Sequence, residues 1–159
     1  VTRCNELGIM IDLSHLNTAG FRDVARLSKA PLVASHSNVW ELSKSTRNLT
    51  DDQLAAIRDS GGVVGLNFGS PFLRPDGERT EDTPLSRMRE HIDYLAERLG
   101  IDGVAFGSDF DGAIIPKNLG GVRGLPVLLD HLREAGYSAE ELSKIAHRNW
   151  LRVLETTIG

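Results

Sequence analysis

Two short stretches of the sequence end alike. In IDLSH, Ile11–His15, and in PLVASHS, Pro31–Ser37, an apolar run delivers a histidine, at positions 15 and 36. A third apolar run, VAFG, leads directly into SDFDG, which carries Asp109 and Asp111. Neutral imidazole is a common ligand for zinc and similar ions, and two rings projected from adjacent strand ends can each meet one ion at about 2 Å. A carboxylate on the same rim can take and return the proton of a water whose pKa the ion has lowered to about 7. His15 and His36 are therefore candidate metal ligands, with Asp109 as the candidate acid/base.

Other polar residues are weighed against plainer roles. Arg47 lies between Thr46 and Asn48 in an irregular stretch where no helix stripe needs it. Its guanidinium suits bidentate capture of a substrate carboxylate, but on spacing alone a surface salt bridge is the simpler reading. Asp111 follows Asp109 with one residue between, so in an extended chain the two side chains face opposite ways. The choice falls on Asp109, nearer the strand end, leaving Asp111-Gly112 as turn chemistry. Asp12 stands among apolar residues and is placed to orient a neighbouring ring. His91, His131 and His147 fall in helical segments beside charged residues and read as surface or helix–helix contacts. Cys4 has no local histidine partner and so no support as a nucleophile.

The elements that must position these residues follow from periodicity. Short β-rich runs alternate with longer runs of helical spacing, the pattern of βα units around a parallel sheet. Strands are expected at Gly8–Leu13, Leu32–Ser35, Val63–Phe68 and Gly103–Gly107. Parallel strands place His15, His36 and Asp109 on one rim, the carboxyl-terminal side where α/β proteins gather ligands. Asn17 is a cap for a helix burying Phe21, Val24, Ala25 and Leu27. Thr50 with Gln53, and Ser138 with Glu141, form capping-box patterns. Leu85–Leu99 reads as an amphipathic helix after a long Pro/Gly/charge-rich loop at 69–84, of the kind that carries function.

Composition sets the outer bounds. The 159 residues, 40% of them hydrophobic, suit a single segment, 1–159, with no internal domain boundary. A net charge of -4 without a basic run offers no footprint for nucleic acid or an anionic membrane. The single cysteine allows no internal disulfide and fits a reducing, cytoplasmic setting. No apolar run approaches the ~20 residues of a membrane span. The chain begins with Val and meets its first apolar run almost at once, as a piece of something longer would.

Five ordered blocks carry a resemblance over nearly the entire chain: NELGIMIDLSH, PLVASHSN, TRNLTDDQLAAIRDSGGVVGLNF, HIDYLAERLGIDGVAFGSDFDG and HRNWLRVLE. Together they resemble the renal (membrane) dipeptidase family, zinc peptidases of the amidohydrolase superfamily. That resemblance implies a TIM-like barrel with a binuclear zinc centre that hydrolyses dipeptides. By it His15 and His36 look like the histidine pair of one zinc, Arg47 like the arginine holding the substrate's terminal carboxylate, and Asp109 like the catalytic acid/base. The family's first-strand H-x-D pair, its bridging glutamate and a further substrate-binding histidine have no counterpart here.

The expected fold is thus α/β, with parallel βα units forming the C-terminal half, strands five to eight, of such a barrel. Alone it would be inactive, completed by its missing amino-terminal half or by a second chain, and its open sheet edges would favour a homodimer. The competing expectation is a non-catalytic α/β binding or self-assembling module derived from that fold.

Overall fold

The structure, a computed structural model, describes residues 1–159. Its sheet has three parallel strands in the order β1 (Val33–Ala34), β2 (Val63–Asn67) and β3 (Val104–Ser108). Val33 pairs with Val63 and Val64 with Val104, with an irregularity between Leu66 and Asn67 that sets Asn67 opposite Ser108. Every residue of β2 is buried, which explains why VVGLN is a continuous run rather than an alternating one.

The expected first strand, Gly8–Leu13, is a correction. Only Asp12 bridges, to Val33, with Leu13 N–H donating to Val33 O at 2.8 Å. Upstream, α1 (Thr2–Leu7) is helical and ends on Gly8 in the left-handed region at φ 65°. The expected strand lies outward of β1, with a partner on one side only, and its pairing is confined to the residues next to Val33.

The helices follow the expected signals more closely. Asn17 caps α2 (Thr18–Leu27), its Oδ1 accepting from Gly20 N–H at 2.8 Å. Phe21 is buried beneath α2, whereas Leu27 is exposed, so the apolar stripe is narrower than its spacing suggests. Thr50 N–H donates to Gln53 Oε1 at 2.9 Å at the start of α3 (Asp51–Asp59). The long loop contains a short helix, α4 (Ser70–Leu73), and α5 covers Leu85–Leu99. After α6 (Leu125–Glu134), a capping box at Ser138 starts α7 (Ala139–Ser143), and a π-helical turn, Lys144–Arg148, joins it to α8 (Asn149–Ile158). No helix is long and apolar enough to cross a membrane.

The C-terminal helices are fastened to the sheet by polar side chains as well as by packing. Asn149, buried, donates through Nδ2 to Ile101 O and Val104 O, both at 2.8 Å, and Trp150 Nε1–H donates to Phe106 O at 2.9 Å. Val64, Leu66, Phe68, Met88, Ile92, Leu95, Val104 and Ile145 form the dry centre between sheet and helices. That centre makes the strands a rigid base, and the polar residues of interest follow their carboxyl ends.

Candidate active site

Four non-glycine residues adopt positive φ: His15 (73°), Ser108 (52°), Asp109 (70°) and Asp111 (65°). His15 lies just beyond the edge bridge at Asp12, Ser108 ends β3, and Asp109 and Asp111 follow it, all at the carboxyl ends of extended segments. Such backbone costs on the order of 1–3 kcal/mol per residue and persists where the surroundings over-determine it, commonly at functional sites. Two of the four are residues that the sequence singles out.

His15 and His36 meet. Their Nε2 atoms lie 2.9 Å apart, with ring centroids 5.0 Å apart and planes inclined by 58°. His36 is also fixed from behind, where its Nδ1 lies 2.7 Å from Ser35 Oγ. The Ser35 hydroxyl donates its proton to Asp12 Oδ2 in a short hydrogen bond, so Ser35 Oγ can only accept from His36. This places the His36 proton on Nδ1 and leaves Nε2 with a free lone pair, the tautomer a metal requires. Asp12 therefore reaches the ring through Ser35.

Asp12 Oδ1 accepts from Ser35 N–H at 2.9 Å and Ser14 N–H at 3.0 Å. Burial alone would raise the Asp12 carboxyl, but the hydrogen bonds from Ser35 and Ser14 outweigh it and hold the pKa below the usual value. The His15 imidazole is pushed below its ordinary pKa by desolvation, then by the Arg47 and His36 charges, against the opposing pull of Asp109 and Asp12. A neutral imidazole with a depressed pKa is the form that ligates. The donor set fits two ligands of one ion; no group of three or more His, Cys, Asp or Glu side chains gathers, so the set is open rather than closed.

Glycines make room for this arrangement. A Cβ on Gly65 would lie 2.0 Å from Ser35 O, and one on Gly107 would lie 2.1 Å from the same oxygen. The backbone of Ser35 thus rests against β2 and β3 at positions that accept only glycine, and this sets where His36 begins.

Asp109 follows β3, and its Oδ2 accepts from Asn67 Nδ2 at 2.9 Å. Asn67 is buried, its Oδ1 accepting from Gly69 N–H at 2.7 Å. Its backbone N–H donates to Asn38 Oδ1 and its carbonyl accepts from Asn38 Nδ2, both at 2.9 Å. Sequence reasoning missed Asn38 and Asn67; the one visible signal was Asn67 closing the apolar run VVGL, whereas Asn38 follows the polar stretch SHS. The extended-chain argument that separated Asp109 from Asp111 does not hold, since both residues are left-handed. Asp111 is exposed and Asp109 half-buried.

Arg47 shares a cleft of about 530 Å³ with His15, lined also by Leu13, Phe21, Trp40 and Leu49. Its guanidinium carbon is 5.1 Å from the centroid of the Phe72 ring, and its Nε and Nη2 are buried with no hydrogen-bond partner. The surface salt bridge, the simpler reading of the sequence, is corrected: no carboxylate pairs with it, because the side chain turns inward along Phe72. Arg47 is the one permanent charge in a cleft without an acidic residue, a setting for an anion.

Of the two readings offered for His91, the helix–helix contact is the one the structure shows. His91 is 1% exposed, its Nδ1 accepting from Val39 N–H and its Nε2 donating to Leu73 O, both at 3.1 Å. It joins α5 to the last residue of α4 and to the backbone at Val39, with almost no exposure to solvent. His131 is half-buried and His147 exposed.

Fold and site together define a parallel α/β protein whose histidine pair, carboxylate and unpaired arginine gather beyond the strands' carboxyl ends. The comparisons narrow that class. The profile of the membrane dipeptidase family, Peptidase family M19, matches residues 1–158, and the chain belongs to that family.

It is 54% identical over 155 residues to a Klebsiella pneumoniae protein described as the uncharacterized protein in the pqqA 5′ region, covering 98% of this chain and 57% of that one. The crystal structure of dipeptidase AC, a metallo peptidase of family M19, superposes with TM-score 0.98 at 53% identity, covering 100% of this chain and 47% of that one. The metallo peptidase from Rhodobacter sphaeroides, liganded with a phosphinate mimic of the dipeptide L-Ala-D-Ala, gives TM-score 0.96 at 54% identity, covering 98% of this chain and 44% of that one. The chain thus spans about half the length of the relatives it matches.

Proposed function

We propose that this chain is the carboxyl-terminal half, βα units five to eight, of a TIM-like-barrel zinc dipeptidase. In this reading it supplies His15 and His36 as ligands of one zinc, Arg47 for the substrate carboxylate and Asp109 as acid/base. Membership of the family and the matched span of about half of each relative support it. The single observation that carries it is the facing of the two Nε2 atoms at 2.9 Å, with the His36 proton drawn to Nδ1 by the Ser35–Asp12 pair.

Zinc held there would supply Lewis acidity toward a peptide carbonyl and toward water. The remaining work belongs to this chain's residues. Arg47 pairs with the terminal carboxylate, orienting the dipeptide in the cleft it shares with His15. Asp109 accepts a proton from the attacking water as the carbon–oxygen bond forms. It returns that proton to the amine nitrogen as the carbon–nitrogen bond breaks, so the carboxylate is regenerated. Asp12 keeps its charge, which preserves the His36 tautomer throughout.

The test is hydrolysis of L-Ala-D-Ala by the complete zinc-loaded protein. Asp109→Asn should lower kcat about 10²- to 10⁴-fold with KM little changed. A folded, zinc-loaded complete protein that leaves dipeptides intact would contradict the proposal.

A further inference from the structure

The carboxylate of Asp109 is held on one side and open on the other. Asn67 Nδ2 donates to Oδ2 at 2.9 Å. On the other side, a Cβ at Gly112 would lie 2.5 Å from Asp109 Oδ1, so glycine there keeps that oxygen clear. Gly112 does not have positive φ, so its place depends on space rather than on left-handed backbone.

Asn67 is suited to the holding role because its own freedom is gone. It is 1% exposed; its Oδ1 is engaged by Gly69 N–H, and its backbone N–H and carbonyl both pair with the Asn38 side chain. The Gly69 contact settles which amide atom is oxygen and which is nitrogen, so Nδ2 must face Asp109. The same Nδ2 lies 3.5 Å from His36 O, which ties the acid's position to the strand end that carries the second histidine. Asp109 itself sits in a left-handed turn between two other left-handed residues, Ser108 and Asp111, a backbone that does not by itself fix a side chain.

We propose that Asn67 is a positioning residue which pins Oδ2 of Asp109, and that Gly112 leaves Oδ1 as the oxygen that exchanges the proton. The catalytic part rests on the function proposed above; the hydrogen bond does not. Asn67→Asp preserves size and the acceptor for Gly69 but replaces the donor with a second carboxylate. Gly112→Ala keeps the backbone and crowds Oδ1, with only the end of one side chain needing to move.

The experiment has two arms on the complete protein. In the first, the side-chain amide of Asn67 is followed by ¹⁵N-resolved NMR. Asp109→Ala should shift it and speed its hydrogen exchange at least severalfold, whereas unchanged signals would overturn the hydrogen bond and the proposal with it. In the second, Asn67→Asp and Gly112→Ala should each lower kcat for L-Ala-D-Ala about 10- to 100-fold with KM within about twofold. Asn67→Gln, a longer donor, should recover part of the loss caused by Asn67→Asp.

Loss that appears only in KM, or full activity in both variants beside an inactive Asp109→Asn, would overturn the positioning role alone. Full activity of Asp109→Asn would instead remove the catalytic reading while the amide arm still decided the contact.

Discussion

Arg47 is costly to the fold, and on the proposed function that cost serves the binding of a ligand. Two of its guanidinium nitrogens are buried without partners, and an unsatisfied buried polar group costs about 1–3 kcal/mol. Replacing Arg47 with Met should therefore leave the melting temperature unchanged or raise it, while raising KM for dipeptides about 10- to 100-fold with a smaller effect on kcat. Steady-state kinetics and thermal melts on the same preparation check both halves. A stability loss with unchanged KM would place Arg47 in the structure rather than on the ligand.

His91 makes the opposite case, a titratable group whose contribution is to stability. Burial first, offset in part by its bond to Leu73 O, lowers its pKa from the usual 6.5 to about 4. The unfolded chain therefore binds a proton between these values that the folded chain refuses. Stability contributed by neutral His91 is complete above about pH 6.5 and declines as the pH falls toward about 4, by on the order of 3 kcal/mol. Urea denaturation at intervals across that window should show the decline, and His91→Leu should flatten it; an equal slope in the variant would contradict this account.

At the level of elements, the helices were readable because their signals are local. The cap at Asn17 and the apolar face of Leu85–Leu99 depend on neighbours within one or two turns, and both are present in the structure. The edge segment Gly8–Leu13 has strand-like residues, but a strand needs a partner that no local pattern supplies, and only Asp12 bridges to β1. The same contrast holds in the site. His15 and His36 announce themselves at the ends of apolar runs, whereas the Asn38–Asn67–Asp109 chain spans residues far apart in sequence and appears only when the strands are side by side.

Gly65 and Gly107 likewise look ordinary in sequence, yet both face the carbonyl of Ser35 across strands. Alanine at either position should destabilise the fold by about 1–3 kcal/mol, since the obstacle is backbone and cannot swing aside. It should also displace Ser35 and so weaken zinc binding more than stability alone explains. Comparing denaturant midpoints with zinc affinity tests this, and a variant of native affinity would show that Ser35 moves without moving His36.

At the scale of the whole molecule, the chain brings two histidine Nε2 atoms within 2.9 Å, and no group of three or more His, Cys, Asp or Glu side chains gathers. It also spans about half the length of each relative it matches. On the proposed function, the remaining ligands come from residues outside these 159. The 159-residue chain alone should hydrolyse dipeptides at no measurable rate. Adding the amino-terminal half with zinc should restore turnover, as read in a coupled amino-acid assay.

The shared histidine site is the claim on which the rest depends, and zinc calorimetry of the complete protein addresses it most directly. The wild type should bind two ions, and His15→Ala or His36→Ala should each remove the same one while leaving the fold intact by circular dichroism. Two ions bound with native affinity in the double variant would contradict the account.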